Sequence, residues 1–301
     1  MIKALSPLTK GTLLFVAAIF CFSIMDALAN HLTKSFHPFQ VIWARYFFHV
    51  ALSCIVLNRA VPKLLQTKYV KLQLIRSAFV FGATASFFFA LSYLTLPQTT
   101  AIFEIAPIVI TLGAFLFLGE KIGIYRWFGV FVGFVGAIII IRPGFDSFSW
   151  ATLLPVLAAT CYANYALSTR ALGRDENPWT SFLYTAVVGT IVISLIVPFY
   201  WTPPRPEQWI TLVLIGGIGA LGHALLINAL TVTEASVLAP WGYAGLVFSI
   251  IWGAAFFMEV PDAATLTGAI LIVGAGLVIW WRETNAARRA RAMADATEAP
   301  R

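Results

Sequence analysis

An all-α polytopic membrane protein is the fold class predicted for this chain of 301 residues, and three observations predict it. Hydrophobic residues make up 60% of the sequence and charged residues only 11%, with a mean hydropathy of +0.85. A soluble domain carries roughly a quarter charged residues, so this chain cannot furnish a water-facing surface. Apolar runs about 20 residues long recur from end to end, the length a helix needs to cross about 30 Å of hydrocarbon. These runs lack the alternation of barrel strands, and a helix satisfies its own backbone where no water is present. Disordered, collagen-like, coiled-coil and cytosolic-enzyme classes are excluded by the same shortage of polar side chains. The net charge of +7 does not signal nucleic-acid binding, because Lys and Arg stand between apolar runs instead of clustering on one face.

Ten spans follow in order, near 11–30, 40–58, 72–93, 98–118, 124–141, 149–170, 179–200, 209–230, 234–257 and 263–281. Pro62, Pro97, Pro143-Gly144, Asn177-Pro178, Pro203-Pro204 and Pro261 separate them by removing helix donors or turning the preceding residue out of the helical region. Short connectors imply antiparallel neighbours. With the N-terminus inside, fifteen Lys and Arg fall on the inner side and three, Lys34, Arg142 and Arg205, on the outer. That bias places both termini in the cytoplasm, in the cell inner membrane. The first span, preceded by Lys3 and Lys10 and ending in Ala27-Leu28-Ala29, imitates a cleavable leader but is expected to stay, since cleavage leaves nine spans. Cys21, Cys54 and Cys161 lie inside apolar runs and are expected to be inert packing residues.

A displacement of 139 positions, the separation of Glu120 from Glu259, also superposes Gly129 on Gly268, Ala90-Leu91 on Ala229-Leu230 and Ala27-Leu28 on Ala166-Leu167. It divides the chain into a first five-helix unit at 11–141, a second at 149–282 and a polar cytoplasmic tail at 283–301. A five-span unit repeated in tandem places its second copy upside down, the plan of many secondary transporters. Three runs carry a family resemblance: Trp43-Ala44-Arg45-Tyr46; Leu118-Gly119-Glu120-Lys121 before Arg126-Trp127; and Leu238-Ala239-Pro240-Trp241-Gly242-Tyr243 before Met258-Glu259-Val260-Pro261-Asp262. In that order they resemble the EamA-domain branch of the drug/metabolite transporter superfamily. The resemblance implies a ten-helix inner-membrane carrier for small metabolites, the branch including carriers for amino acids, S-adenosylmethionine and riboflavin. Where many members read Phe-Gly-Glu, this chain has Phe257-Met258-Glu259.

An ionisable side chain within a span costs at least about 2.5–3.5 kcal/mol and is by default a functional-site hypothesis. Asp26, Arg45 and Glu104 fall at one depth, about 6–9 Å below the outer boundary at 1.5 Å per residue, on three different spans. His49 lies one turn deeper than Arg45 on the same helix face. These residues are expected to bind substrate or gate its entry, Arg45 engaging a substrate carboxylate or a gating acid and Asp26 or Glu104 carrying a proton; the alternative is a static Asp26–Arg45 pair. Under the repeat displacement, Asp26, Arg45 and Glu104 map onto Tyr165, Tyr184 and Tyr243, so charge in one half meets phenol in the other. The expected cavity is charged outside and aromatic inside, suited to a substrate with one charged end and one apolar or ring-bearing end. His223, Asn228 and Trp241 complete the candidate set, while Arg76, near an inner span end, is expected to snorkel to the headgroups.

Gly217-Ile218-Gly219-Ala220-Leu221-Gly222 fits a dinucleotide fingerprint, but no strand precedes it, and it reads as a packing face. Gly129-Val130-Phe131-Val132-Gly133 is expected to let its helix approach another closely, within or between subunits. No enzyme signature occurs, and neither a metal nor a cofactor is expected. The expected function is a secondary carrier working by alternating access on a small amphipathic metabolite, as a monomer or homodimer, with lipids as neighbours and room for proton coupling. The basic tail residues Arg288, Arg289 and Arg291 are expected to meet anionic headgroups.

Overall fold

The computed structural model describes residues 6–119, 123–141, 150–173 and 176–258, with scattered helical positions between 263 and 285. The expected tenth span and the tail therefore lie largely outside the described residues, as do Glu120, Lys121 and residues 259–262. Described regular structure is helical throughout: α1 (Pro7–Leu32), α2 (Pro38–Leu57), α3 (Val61–Leu64), α4 (Val70–Ala90), α5 (Leu96–Phe103), α6 (Ala106–Leu118), α7 (Ile124–Ile141), α8 (Leu153–Leu172), α9 (Pro178–Ile196), α10 (Pro206–Val232), α11 (Ala235–Leu238) and α12 (Ala244–Phe257).

Proline stands in the first turn of α1, α2, α5, α9 and α10, where its missing N–H costs no helical bond. Side chains just before it satisfy the free donors that remain. Ser6 accepts from Thr9 N, His37 from Phe39 N and Asn177 from Trp179 N, and Thr95 with Gln98 forms a reciprocal capping box. Seven described segments are long and apolar enough to cross a membrane. Beside them α7 is apolar over Trp127–Gly136, and α8 runs 20 residues with Thr160, Asn164 and Ser168 interrupting its apolar surface.

The expected fourth and ninth spans are both interrupted. Between α5 and α6 the chain turns at Glu104 and Ile105, and between α11 and α12 it narrows to a 3-10 turn over Ala239–Tyr243. Pro107 and Pro240 stand beside the two breaks, and neither supplies a backbone donor to a helix. The displacement of 139 that joins the repeats carries Glu104 onto Tyr243, so the two breaks are counterparts.

Packing repeats the same relation. The two most extensive helix contacts are α1 with α10 and α4 with α8. The displacement turns α1 into α8 and α4 into α10, so these are one contact made twice with the repeats exchanging roles. The contact of α2 with α10 recurs as that of α4 with α9, and α1 with α12 recurs as α6 with α8. A pair of units related by such an exchange has a pseudo-two-fold axis. The capping geometry agrees: Gly119 ends α6 at φ 64, ψ 20, and Met258, 139 positions later, ends α12 at φ 59, ψ 22.

The Gly129–Gly133 face serves an approach within the chain. A Cβ on Gly133 would fall 2.5 Å from the Tyr243 ring, whose hydroxyl donates to Val130 O at 3.4 Å.

Candidate functional site

Where the broken helices meet α1, α2 and α4, the helices enclose a cavity of about 100 Å³. Ser23 and Asp26 reach it from α1, Arg45 from α2, Thr84 from α4, Thr100 from α5, Glu104 from the break, Tyr162 from α8, His223 from α10 and Ser249 from α12. Phe22, Met25, Phe87, Phe88 and Phe103 make the apolar wall. The three ionisable residues expected at one depth thus share one space.

Arg45 is 2% exposed. Its Nη2 lies 2.6 Å from His223 Nε2, its Nε 3.3 Å from Met25 Sδ, and its guanidinium 4.4 Å over the Tyr46 ring. Nη1 has no hydrogen-bond partner. Among the described residues no carboxylate lies within 4.0 Å of Arg45, so a static Asp26–Arg45 pair is not formed.

The geometry fixes how His223 is used. A guanidinium only donates, so Nε2 accepts, and the neutral ring carries its proton on Nδ1. Nδ1 then donates to the Tyr165 hydroxyl at 3.0 Å. Thr185 Oγ1 donates to Ser181 O at 2.9 Å and accepts from Arg76 Nη1 at 2.6 Å. A polar chain therefore leads from Arg45 through His223 to Tyr165, over whose ring the Arg76 guanidinium lies at 5.0 Å. His49 stands beside it, stacked 6.0 Å from His223, with both ring nitrogens lacking partners.

Glu104 is 3% exposed and reaches the cavity from the break between α5 and α6. Its Oε1 lies 3.5 Å from where a Cβ on Gly245 would stand, an ordinary contact distance. Tyr162 and Tyr243 are within its electrostatic reach.

Other expected site residues stand apart from the cavity. Tyr184 donates to Leu65 O at 2.9 Å and ties α9 to the loop after α3. Asn228 is exposed and donates to Ala224 O of its own helix, away from His223. Trp241 packs with the apolar cluster of α1, α8 and α10, and Tyr243 is held between Val130 and Gly133. The expectation that Arg76 snorkels is overturned: its side chain is 0% exposed, bonded to Thr185 and Ser181 and lying 5.0 Å over the Tyr165 ring. Tyr162, whose hydroxyl is buried without a partner in the cavity wall, was not among the expected residues. The displacement that places Tyr165 on Asp26 also places Tyr162 on Ser23, and that correspondence was the available signal.

Comparison with known proteins agrees with this architecture. The sequence profile of the EamA-like transporter family matches residues 9–142 and again 149–281. The chain belongs to that family. It is 30% identical over 290 residues to the S-adenosylmethionine uptake transporter of Rickettsia bellii, covering 95% of this chain and 98% of that protein. It is 29% identical over 282 residues to the pseudopaline exporter of Pseudomonas aeruginosa (91% and 97%). A riboflavin transporter of Brucella anthropi is 30% identical over 256 residues (82% and 89%). A crystal structure of another protein matches with a TM-score of 0.73 at 20% identity, over 94% of this chain and 99% of that one, a likeness of fold. As an EamA-like transporter, the chain is a multi-pass membrane protein that moves a small metabolite and is not an enzyme.

Proposed function

We propose that the cavity binds a small amphipathic metabolite by its carboxylate, and that the chain carries it across the cytoplasmic membrane by alternating access as a monomer or homodimer. Both termini lie in the cytoplasm on this reading, supported by the fifteen-to-three bias of basic residues. One observation carries the assignment of substrate class: Arg45 Nη1 is a buried donor without a partner on a side chain that lines the cavity. Burying a charge without an anion is costly, and a substrate carboxylate supplies the missing one.

Asp26 and Glu104 give the same space two acids. They suit a cationic centre beside the carboxylate, or a proton taken up with the substrate. The phenylalanines of the wall and the Tyr162 ring suit an apolar or ring-bearing end. An amino-acid end joined to a larger ring-bearing part, as in S-adenosylmethionine, meets all three demands. Riboflavin, with rings but no carboxylate, would leave Arg45 unused.

The test is a thermal-shift screen of purified protein against amino acids, nucleosides, S-adenosylmethionine, riboflavin and quaternary amines, run beside Arg45→Gln. A ligand that binds only the folded state raises the melting temperature by mass action. A carboxylate-bearing ligand that shifts the native chain and not Arg45→Gln is the expected result. A shift kept in full by Arg45→Gln overturns the role given to Arg45.

A further inference from the structure

We propose that Arg76 and Gln73 form a second substrate station, a site for the carboxylate and ammonium of an amino-acid end, reached when α4 parts from α9. Its starting point is an imbalance of charge. Arg76 is wholly buried, and among the described residues no carboxylate lies within 4.0 Å of it. Buried cations are ordinarily paired, because an isolated one forfeits its hydration without a compensating anion. Its fork instead donates to two neutral oxygens of α9, Thr185 Oγ1 at 2.6 Å and Ser181 O at 2.5 Å, and its Nε has no partner.

Gln73, three residues earlier on the same face of α4, is 0% exposed. Its amide nitrogen donates to Ser181 Oγ at 2.9 Å, and its Oε1 has no partner. A spare donor on a guanidinium beside a spare acceptor on an amide is complementary to a carboxylate beside an ammonium. A guanidinium can take a carboxylate by two parallel bonds, which neutral oxygens on separate residues do not reproduce.

These bonds also form a closure. Helix α4 belongs to the first repeat and α9 to the second, and toward their α3 side the seam is fastened again by Tyr184 to Leu65 O and by Thr67 to Glu176. Rocking of one repeat against the other separates this seam. Arg76 then gives up Ser181 O and Thr185 and presents its fork and Gln73 Oε1 to the opening. The polar chain through His223 and Tyr165 lies between this station and Arg45, so the substrate passes from one guanidinium to the other. This inference rests on the carrier reading above.

A test independent of substrate identity uses Ser181→Cys in a chain whose Cys21, Cys54 and Cys161 are replaced by serine. Everted and right-side-out vesicles are treated with an anionic sulfonatoethyl or a cationic trimethylammonioethyl methanethiosulfonate, and both rates of modification are followed. The expected result is reaction from one face, with the sulfonate reagent favoured about tenfold or more. That preference should collapse in Arg76→Gln and persist in Arg76→Lys. A thiol that reacts without charge preference overturns the station whatever the Arg76 variants do, and leaves the carrier reading intact. A thiol sealed from both faces overturns the station and counts against alternation at this seam as well.

Discussion

Arg45 and His223, on helices from opposite repeats, meet at 2.6 Å, and that contact joins the cavity to the polar chain behind it. The imidazole must be neutral to accept from the guanidinium, so its other nitrogen is committed to Tyr165. One histidine thereby orients two residues, with the cavity on one side and the α4–α9 seam on the other.

Removing that acceptor should be costly. His223→Leu strands Arg45 Nη2 in a buried setting where Nη1 already lacks a partner. Hydrogen bonds to charged groups contribute about 1.5–3 kcal/mol, which is the destabilisation expected in a denaturant titration. His223→Gln, which keeps an acceptor, should lose less. Asn228→Leu makes the comparison on the same helix: its amide is exposed and bonded only to Ala224 O, so a change within about 0.5 kcal/mol is expected. Equal losses from His223→Leu and Asn228→Leu would remove the special place given to the imidazole.

A second prediction concerns the approach of α7 to the broken ninth span. Gly133→Ala puts a methyl 2.5 Å from the Tyr243 ring, which is buried and has no room to retreat. Overpacking of this kind costs about 1–3 kcal/mol. Gly123→Ala, where a Cβ meets nothing within 4 Å, should cost far less. Melting curves of the two variants decide the matter, and a harmless Gly133→Ala would mean that the ring does not rest there.

The helices and the cavity acids were legible in the sequence because an ionisable group inside an apolar run stands out on its own. Spans 4 and 9 carry Pro107 and Pro240, whose missing donors were readable as helix breakers, and the breaks lie beside them. What the sequence withheld was the rotation of each helix. Arg76 lies near a span end, where a long side chain can run to the headgroups or turn inward, and only its packing against α8 and α9 decides. Asn228 and His223 lie five residues apart, which at 3.6 residues per turn puts them on well-separated faces. Both were expected at one site although the periodicity already parted them. Tyr184 maps onto Arg45 by repeat position, but a phenol near a helix end found a loop carbonyl instead.

Acid should loosen the entry to α2. His37 caps that helix by accepting the Phe39 N–H on Nδ1, and the ring stacks 4.3 Å from Tyr200. Burial against these rings holds the imidazole below its ordinary value of about 6.5. The unfolded chain then binds a proton more readily than the folded one. Stability is therefore complete above about pH 6.5 and declines as pH falls through the folded value. His37→Asn keeps a capping oxygen that does not titrate in this range. Between pH 7.5 and 5 the native chain should lose more melting temperature than His37→Asn, and parallel losses would show that the cap is not the titrating element.

The left-handed turn shared by Gly119 and Met258 offers the most direct measurement of the repeat in energetic terms. Both residues end the second part of a broken helix with almost the same backbone angles, φ 64 and φ 59, and one of them carries a side chain. An L-residue in that region costs about 1–2 kcal/mol relative to glycine, from crowding of Cβ against the following carbonyl. Met258 is 87% exposed, so little packing is forfeited by removing its side chain. Glycine gives back part of the gain through the greater freedom of the unfolded chain, by roughly 0.5–1 kcal/mol. Met258→Gly should thus stabilise the protein by about 0.5–1 kcal/mol without altering ligand-induced thermal shifts. Gly119→Ala should destabilise it by a similar amount, because it introduces in the first repeat the strain already present in the second. Opposite signs for these substitutions are expected if the two turns are counterparts; a destabilising Met258→Gly would mean that the second turn is held by the methionine side chain.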